Sequence, residues 1–243
     1  KRKGLPISAM PGFNASLTGQ QIADVTAFLL TLKKSEPLKP ADGVFEFRQE
    51  GSELNLYLDQ KRVATYLLGH EKLTRRAFVN VTTPSGIPVT RNFPPKRPED
   101  LDPGYQGEDG IIHPVMHPGI WMSFGWIDDN DYWRLTSEVD HEGFFEVPIG
   151  KRGEASFKSR DRYLSRDGKE TICMQDTRYH FRHVESGILL TWDAEFYNND
   201  RDFTFGDQEE SGLAIRVASP LRVNGGSGRI VNNRGEENGA GTW

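Results

Sequence analysis

The sequence predicts an all-β fold, a large antiparallel β-sandwich, preceded by a single N-terminal α-helix. Three observations predict it. Short runs of alternating apolar and polar residues recur from Val44 to Val217, separated by Gly, Ser, Asp and Lys. No helical period of useful length appears after Pro40. A chain of 243 residues with 36% hydrophobic and 27% charged residues is long and apolar enough to bury a sizeable core.

The helix comes first in the chain and spans residues 18–34. Thr18 is a good N-cap and Gln21 completes a capping-box pattern. Ile22, Val25, Phe28, Leu29 and Leu32 then share one face, and Lys33 and Lys34 sit where cations favour the negative end of the dipole. Pro37 and Pro40 break the pattern, so residues 37–43 read as a linker between a first unit, 1–36, and a β domain, 44–243. Within that domain, strands are expected at 44–47, 54–58, 63–67, 78–81, 120–124, 132–136, 155–163, 171–184, 188–196 and 213–217. Two packed sheets are the simplest way to bury so many half-apolar strands.

Composition narrows the function. The net charge of −5, with Lys and Arg scattered, leaves no nucleic-acid footprint. The longest apolar stretch, Ala27-Phe28-Leu29-Leu30, falls far short of the roughly 20 residues a membrane helix needs. Cys173 is the only cysteine, which excludes a disulfide framework, a zinc knuckle and a Cys-x-x-Cys-His haem attachment. It sits in an apolar strand, where a thiol is buried and inert.

Chemistry-bearing side chains concentrate between Thr82 and Arg134. His113 and His117 flank Met116; Trp121 follows, then Asp131, Trp133 and Arg134, with Arg91 and Asn92 upstream. Indoles that stack on a sugar face, beside groups that bond hydroxyls, make a carbohydrate-binding inventory. His117 has the pKa range of a general acid or base. Alternatively it pins the loop before a strand through backbone bonds. Arg91 and Asn92 either bind a hydroxyl or carboxylate of a substrate or hold the Pro-rich loop to an acidic neighbour. Asp131 and Arg134 could equally form a simple ion pair. Pro114 and Pro118 argue against a helix that would place both histidines on one face, so no metal site is expected. Asp207-Gln208-Glu209-Glu210 supplies candidate bases in Glu209 and Glu210 and a candidate substrate ligand in Gln208. A calcium site built of hard oxygens is the other functional reading, but a charge run of this kind is usually a solvated turn between two strands. His141, His180 and His183 read as structural.

Two resemblances add to this. Ile7-Ser8-Ala9-Met10-Pro11-Gly12-Phe13 and the helix after it resemble the C-terminal end of a bacterial cytochrome c. That likeness implies Met10 as an axial haem ligand in a full-length parent carrying haem c, with a redox partner and an extracytoplasmic, periplasmic location. This chain has no attachment cysteines, so it is expected to hold no cofactor. "TPSGIPVTRN", "MHPGIW", "DYWR", "FGDQEESGLAIRVASPL" and "GGSGRIVN" are similar to motifs of the PmoA-like domain family. The likeness implies a galactose-mutarotase-like supersandwich that continues beyond Trp243, and so a truncated domain here. Many members carry a richer histidine and arginine set where this chain has Met116 and Pro118. Methane oxidation has only the family label behind it, since the membrane spans are missing. Two functions follow as expectations. One is a carbohydrate-active acid/base enzyme, of epimerase, lyase or hydrolase type, using His117 with Glu209 or Glu210. The other is a non-catalytic module that binds a carbohydrate or small-molecule ligand, fused to an electron-transfer cytochrome c domain that it delivers to a glycan or partner.

Overall fold

The computed structural model describes residues 37–100, 113–208, 211–232 and 234–238. The expected helix over 18–34 and Met10 lie outside the described residues. From Lys39 onward the chain is one compact unit made of two antiparallel sheets, so the all-β sandwich is the fold. Six strands form the first sheet: β1 (Phe45–Glu50), β2 (Glu53–Leu58), β3 (Lys61–Leu67), β4 (Ala77–Val79), β5 (Ile120–Phe124) and β10 (Ser211–Ile215), in the order β1-β2-β3-β4-β5-β10. The second is a meander of β6 (Val139–Gly150), β7 (Glu154–Leu164), β8 (Thr171–Val184) and β9 (Gly187–Tyr197). Residues ahead of β1 already pair with this second sheet: Pro40 bridges Val184 and Val44 bridges Arg152.

Local chemistry explains the hairpins. Asp59 and Gln60, at φ +48° and +66°, make the two-residue turn between β2 and β3, the left-handed geometry whose twist matches that of the strands. On β7, burial alternates without a break, so Ala155, Phe157, Ser159, Asp161 and Tyr163 all point inward. Register sets them opposite Phe181, Tyr179, Thr177, Gln175 and Cys173 of β8. The interior therefore changes character along the strands. Near one end Phe157, Tyr179 and Phe181 pack on Phe45, Leu56, Tyr66 and Phe78 of the first sheet. At the other end Tyr163 and Cys173 pack on Ile127 and Tyr132. Between them lies a polar layer. The Asp161 carboxylate meets His141 Nδ1 at 2.9 Å and accepts from Ser159 at 3.3 Å. Tyr163 donates to Gln175 at 2.6 Å, and Gln175 donates to Thr177 at 2.8 Å.

Strand alternation also loads the far face of the first sheet. Tyr66, Phe78 and Ile120 face the sandwich; Leu67, Ala77, Val79 and Trp121 face away. There they pack under loops that contribute Leu73, Phe93, Met116 and Trp133.

Three local readings need correction. Tyr132–Thr136 is a turn rather than a strand: Asp131 caps it through the backbone N–H of Arg134 at 2.8 Å, and Leu135 sits at φ +61°. Its aromatic run mimics a strand because Tyr132 and Trp133 are buried from a loop. β6, absent from the expected strands, is one of the longest; Gly143, Pro148 and repeated register shifts disguise its period, and Pro is tolerated because β6 is an edge strand. His113–Met116 does form a short helical turn, α1. Pro114 is tolerated in the first turn, where its missing N–H would have no partner, and the turn ends before His117.

Candidate functional site

The loop-covered face gathers several of the side chains singled out from the sequence, but it uses them as packing. Trp121 is 2% exposed and Trp133 8% exposed, so neither offers a face to a sugar. The half-buried His117 stacks on Trp121 at 5.4 Å and meets Trp133 edge-on at 6.1 Å. Beside both indoles lies Arg75, which no motif in the sequence marks. Its guanidinium stands 5.4 Å from the Trp121 ring and 5.8 Å from Trp133. It donates to the carbonyls of Tyr132 (2.7 Å), Trp133 (2.5 Å) and Met116. Burial pushes its pKa down to about 9, which still leaves it charged at neutral pH. It is a cationic staple for the loop layer.

Arg91 acts in the same way one loop further on. It is buried and donates to the carbonyls of Asp100 (3.0 Å) and His117. Asn92 donates to the Asp100 carboxylate at 3.0 Å, which also caps the backbone N–H groups of Lys96 and Arg97. Burial alone would raise the Asp100 pKa; those three hydrogen bonds outweigh it and hold the carboxyl below its ordinary value. The Pro-rich loop is thus tied to Asp100 twice, through its carbonyl by Arg91 and through its carboxylate by Asn92. Asp131 and Arg134 form a local ion pair at 3.1 Å, with the arginine half exposed. Gln208 is partly buried. Glu209, Glu210 and the side chain of His113 lie outside the described residues.

Open, chemically mixed space lies elsewhere. A groove of about 760 Å³ follows β9, lined by Trp192, Asp193, Ala194, Glu195 and Phe196, by Met122 and Phe124 of β5, and by Lys158, Asp176 and Arg178. Asp193 and Glu195 are exposed, whereas Asp176 is held by a two-pronged pair with Arg160 at 2.7 and 2.8 Å. That pair lowers the Asp176 pKa against the opposing effect of burial. The Trp192 indole N–H is buried with no acceptor among the described residues. Alternation along β9 puts Trp192 and Phe196 on one face, and that period is the signal in the sequence that could have found them.

A second set of unforeseen residues is internal. Arg76, beside Arg75 in the chain, goes into the sandwich, donating to Val139 O at 2.7 Å with its Nε 3.8 Å from Asp161. His141 is the third member of this group, a partner invisible from spacing because twenty residues separate it from Asp161. Cys173 is buried, and burial pushes its thiol up to about 12. Among the described residues no group of three or more His, Cys, Asp and Glu is placed to hold a metal ion. No described helix is long and apolar enough to cross a membrane.

No curated protein and no solved structure matches the chain. No PmoA-like and no cytochrome c family model matches it either, which corrects both resemblances and removes the ground for a haem-bearing parent and an extracytoplasmic location. Short motifs rich in Gly, Pro and Trp, together with one capped helix, suggested kinship that models of those families do not bear out. The model that does match is that of a family of unknown function, DUF6807, over residues 53–243. It takes in every described strand but β1, and the chain belongs to that family.

Proposed function

We propose that the β domain is a binding module whose carbohydrate ligand lies in the groove along β9. One observation carries this reading: about 760 Å³ of open space follows the β9 edge, with the aromatic side chains Trp192, Phe196 and Phe124 on its inner side and Lys158, Arg178, Asp193 and Glu195 on the outer face of the sheet. Aromatic faces bury the apolar side of a sugar ring, while charged and amide groups bond its hydroxyls. Groove dimensions of this order suit a short oligosaccharide better than a flat protein partner. Binding is favoured over catalysis because the His117 ring is committed to Trp121 and Trp133.

The test is an NMR and calorimetric titration with a panel of neutral and acidic oligosaccharides, read beside Trp192→Phe and Glu195→Gln. Both variants are conservative in shape, and both positions are at least partly exposed. Saturable binding weakened by either variant supports the groove. Binding that ignores both, or no binding across the panel, removes the proposal. Product formation abolished by His117→Ala would return the site to the loop layer and make the domain an enzyme.

A further inference from the structure

We propose that the ligand of the β9 groove is an amphiphile, a sugar carrying an alkyl or acyl chain, and that the chain enters an apolar cavity between the two sheets. The inference rests on the carbohydrate reading of the groove and names the class of sugar that it takes.

The cavity measures about 290 Å³ and is bordered by the β8–β9 turn and by the hairpin at 82–89. Its depth is lined by Leu56, Val63, Ala64, Phe78 and Phe181, none more than 4% exposed. At its mouth Val81, Val89, Ile120, Ile188 and Leu190 are half-buried. No charged residue lines it, and its polar side chains are those of Thr82, Thr83 and Ser186. Thr83 has already spent its hydroxyl, which accepts from the Ile87 N–H at 3.1 Å and meets the Ser85 hydroxyl at 2.8 Å. A hole of this chemistry holds water poorly and gains by taking an apolar guest. Because both sheets wall it, the guest must be slender, a hydrocarbon chain rather than the surface of a protein.

Strand alternation joins this cavity to the groove. On one face of β5, Ile120 lines the cavity and Met122 and Phe124 line the groove. Across the gap, one face of β9 gives Ile188 and Leu190 to the cavity and Trp192, Ala194 and Phe196 to the groove. The step from one space to the other is two residues on each strand, about 7 Å. The two spaces therefore lie end to end between the same pair of strands.

Their polarity is opposite. Lys158, Asp176, Arg178, Asp193 and Glu195 line the groove, whereas the cavity has no charged lining at all. A guest that lies along both is polar at one end and apolar at the other. Ala64 sets the depth available to the apolar end: it stands opposite Leu56 in the β2–β3 register, and its side chain is the smallest of the buried lining.

The test titrates the full chain with methyl, hexyl and octyl glucosides and with octanol, below micelle-forming concentrations, by calorimetry and NMR. Each fully buried methylene is worth up to about fourfold in affinity. Octyl glucoside is thus expected to bind about tenfold or more tighter than methyl glucoside, with shifts at the Ile188 and Leu190 methyl groups. Ala64→Leu fills the depth of the cavity; Val89→Phe, at a half-buried position on the hairpin, narrows the mouth without touching the buried lining. Either variant is expected to remove the gain with chain length. Equal affinity for methyl and octyl glucosides overturns the inference and leaves the carbohydrate reading standing. A gain that survives both variants overturns it as well, since the chain then lies elsewhere. Octyl glucoside bound no more tightly than octanol, with methyl glucoside unbound, removes the carbohydrate reading and the joint ligand with it.

Discussion

Replacing Asp161 by Asn keeps the side chain's shape and removes its charge from the middle of the sandwich. The Asp161 side chain is 2% exposed and that of Arg76 10%, with Arg76 Nε 3.8 Å from the carboxylate. At an effective dielectric constant of about 20, a pair at that distance attracts with about 4 kcal/mol. Desolvation offsets part of this in the intact protein. Loss of the carboxylate, however, leaves Arg76 a buried cation whose hydrogen-bond acceptor among the described residues is Val139 O. The substituted amide would still accept from His141, which trims the damage. The expected loss for Asp161→Asn is about 3 kcal/mol, and Arg76→Met is expected to couple to it by about 2 kcal/mol in a double-mutant cycle. Urea unfolding followed by tryptophan fluorescence reads both quantities, and an unchanged m-value ensures that the states compared are the same. Additive losses, with a coupling below about 0.5 kcal/mol, would refute the idea that this pair acts as a unit.

Other expectations are simpler. Gln60→Gly relieves a left-handed residue in the β2–β3 turn and should stabilise the domain by up to about 1 kcal/mol, measurable by the same unfolding assay. Because the Asp100 carboxyl is held below its ordinary value of 3.8, its contribution is fully present above that value and disappears as pH falls through its folded pKa. The stability gap between the native chain and Asp100→Asn should therefore hold at neutral pH and shrink as the pH is lowered below 3.8. Cys173, buried with its thiol pushed up to about 12, should resist a thiol reagent in the folded state and react at the rate at which the domain opens.

Much of the sandwich was legible because its strands are bounded by turn residues and because β2, β3, β8 and β9 carry enough apolar residues to show a period. β7 was legible for another reason: its outward Lys158, Arg160 and Arg162 alternate with small or aromatic inward residues, even though Asp161 sits among the latter. β6 was not, since bulges and Pro148 break its alternation at an exposed edge. The surroundings of the candidate site residues were not legible. Type and clustering single out Trp121, Trp133, His117 and Arg91 as interesting, but nothing local says that loops will bury Trp121, Trp133 and Arg91 and leave His117 half-buried. Arg75 and Arg76 hid for the opposite reason, because adjacent arginines normally mark a solvated surface. The β9 groove depends on residues from distant segments, such as Phe124 with Phe196, that only tertiary pairing brings together.

Arg75 has a consequence for how the domain opens. A core held only by apolar contacts would resist exposure along its whole surface, because every patch uncovered meets water unfavourably. Here the layer over Trp121 and Trp133 encloses a guanidinium that water would welcome, as its lowered pKa records. Lifting that layer returns hydration to Arg75 and offsets part of the lost packing. The loop layer is thus a lightly latched cover on a firmly closed sandwich, and amide hydrogen exchange at residues 132–137 should run ahead of exchange in β7 and β8.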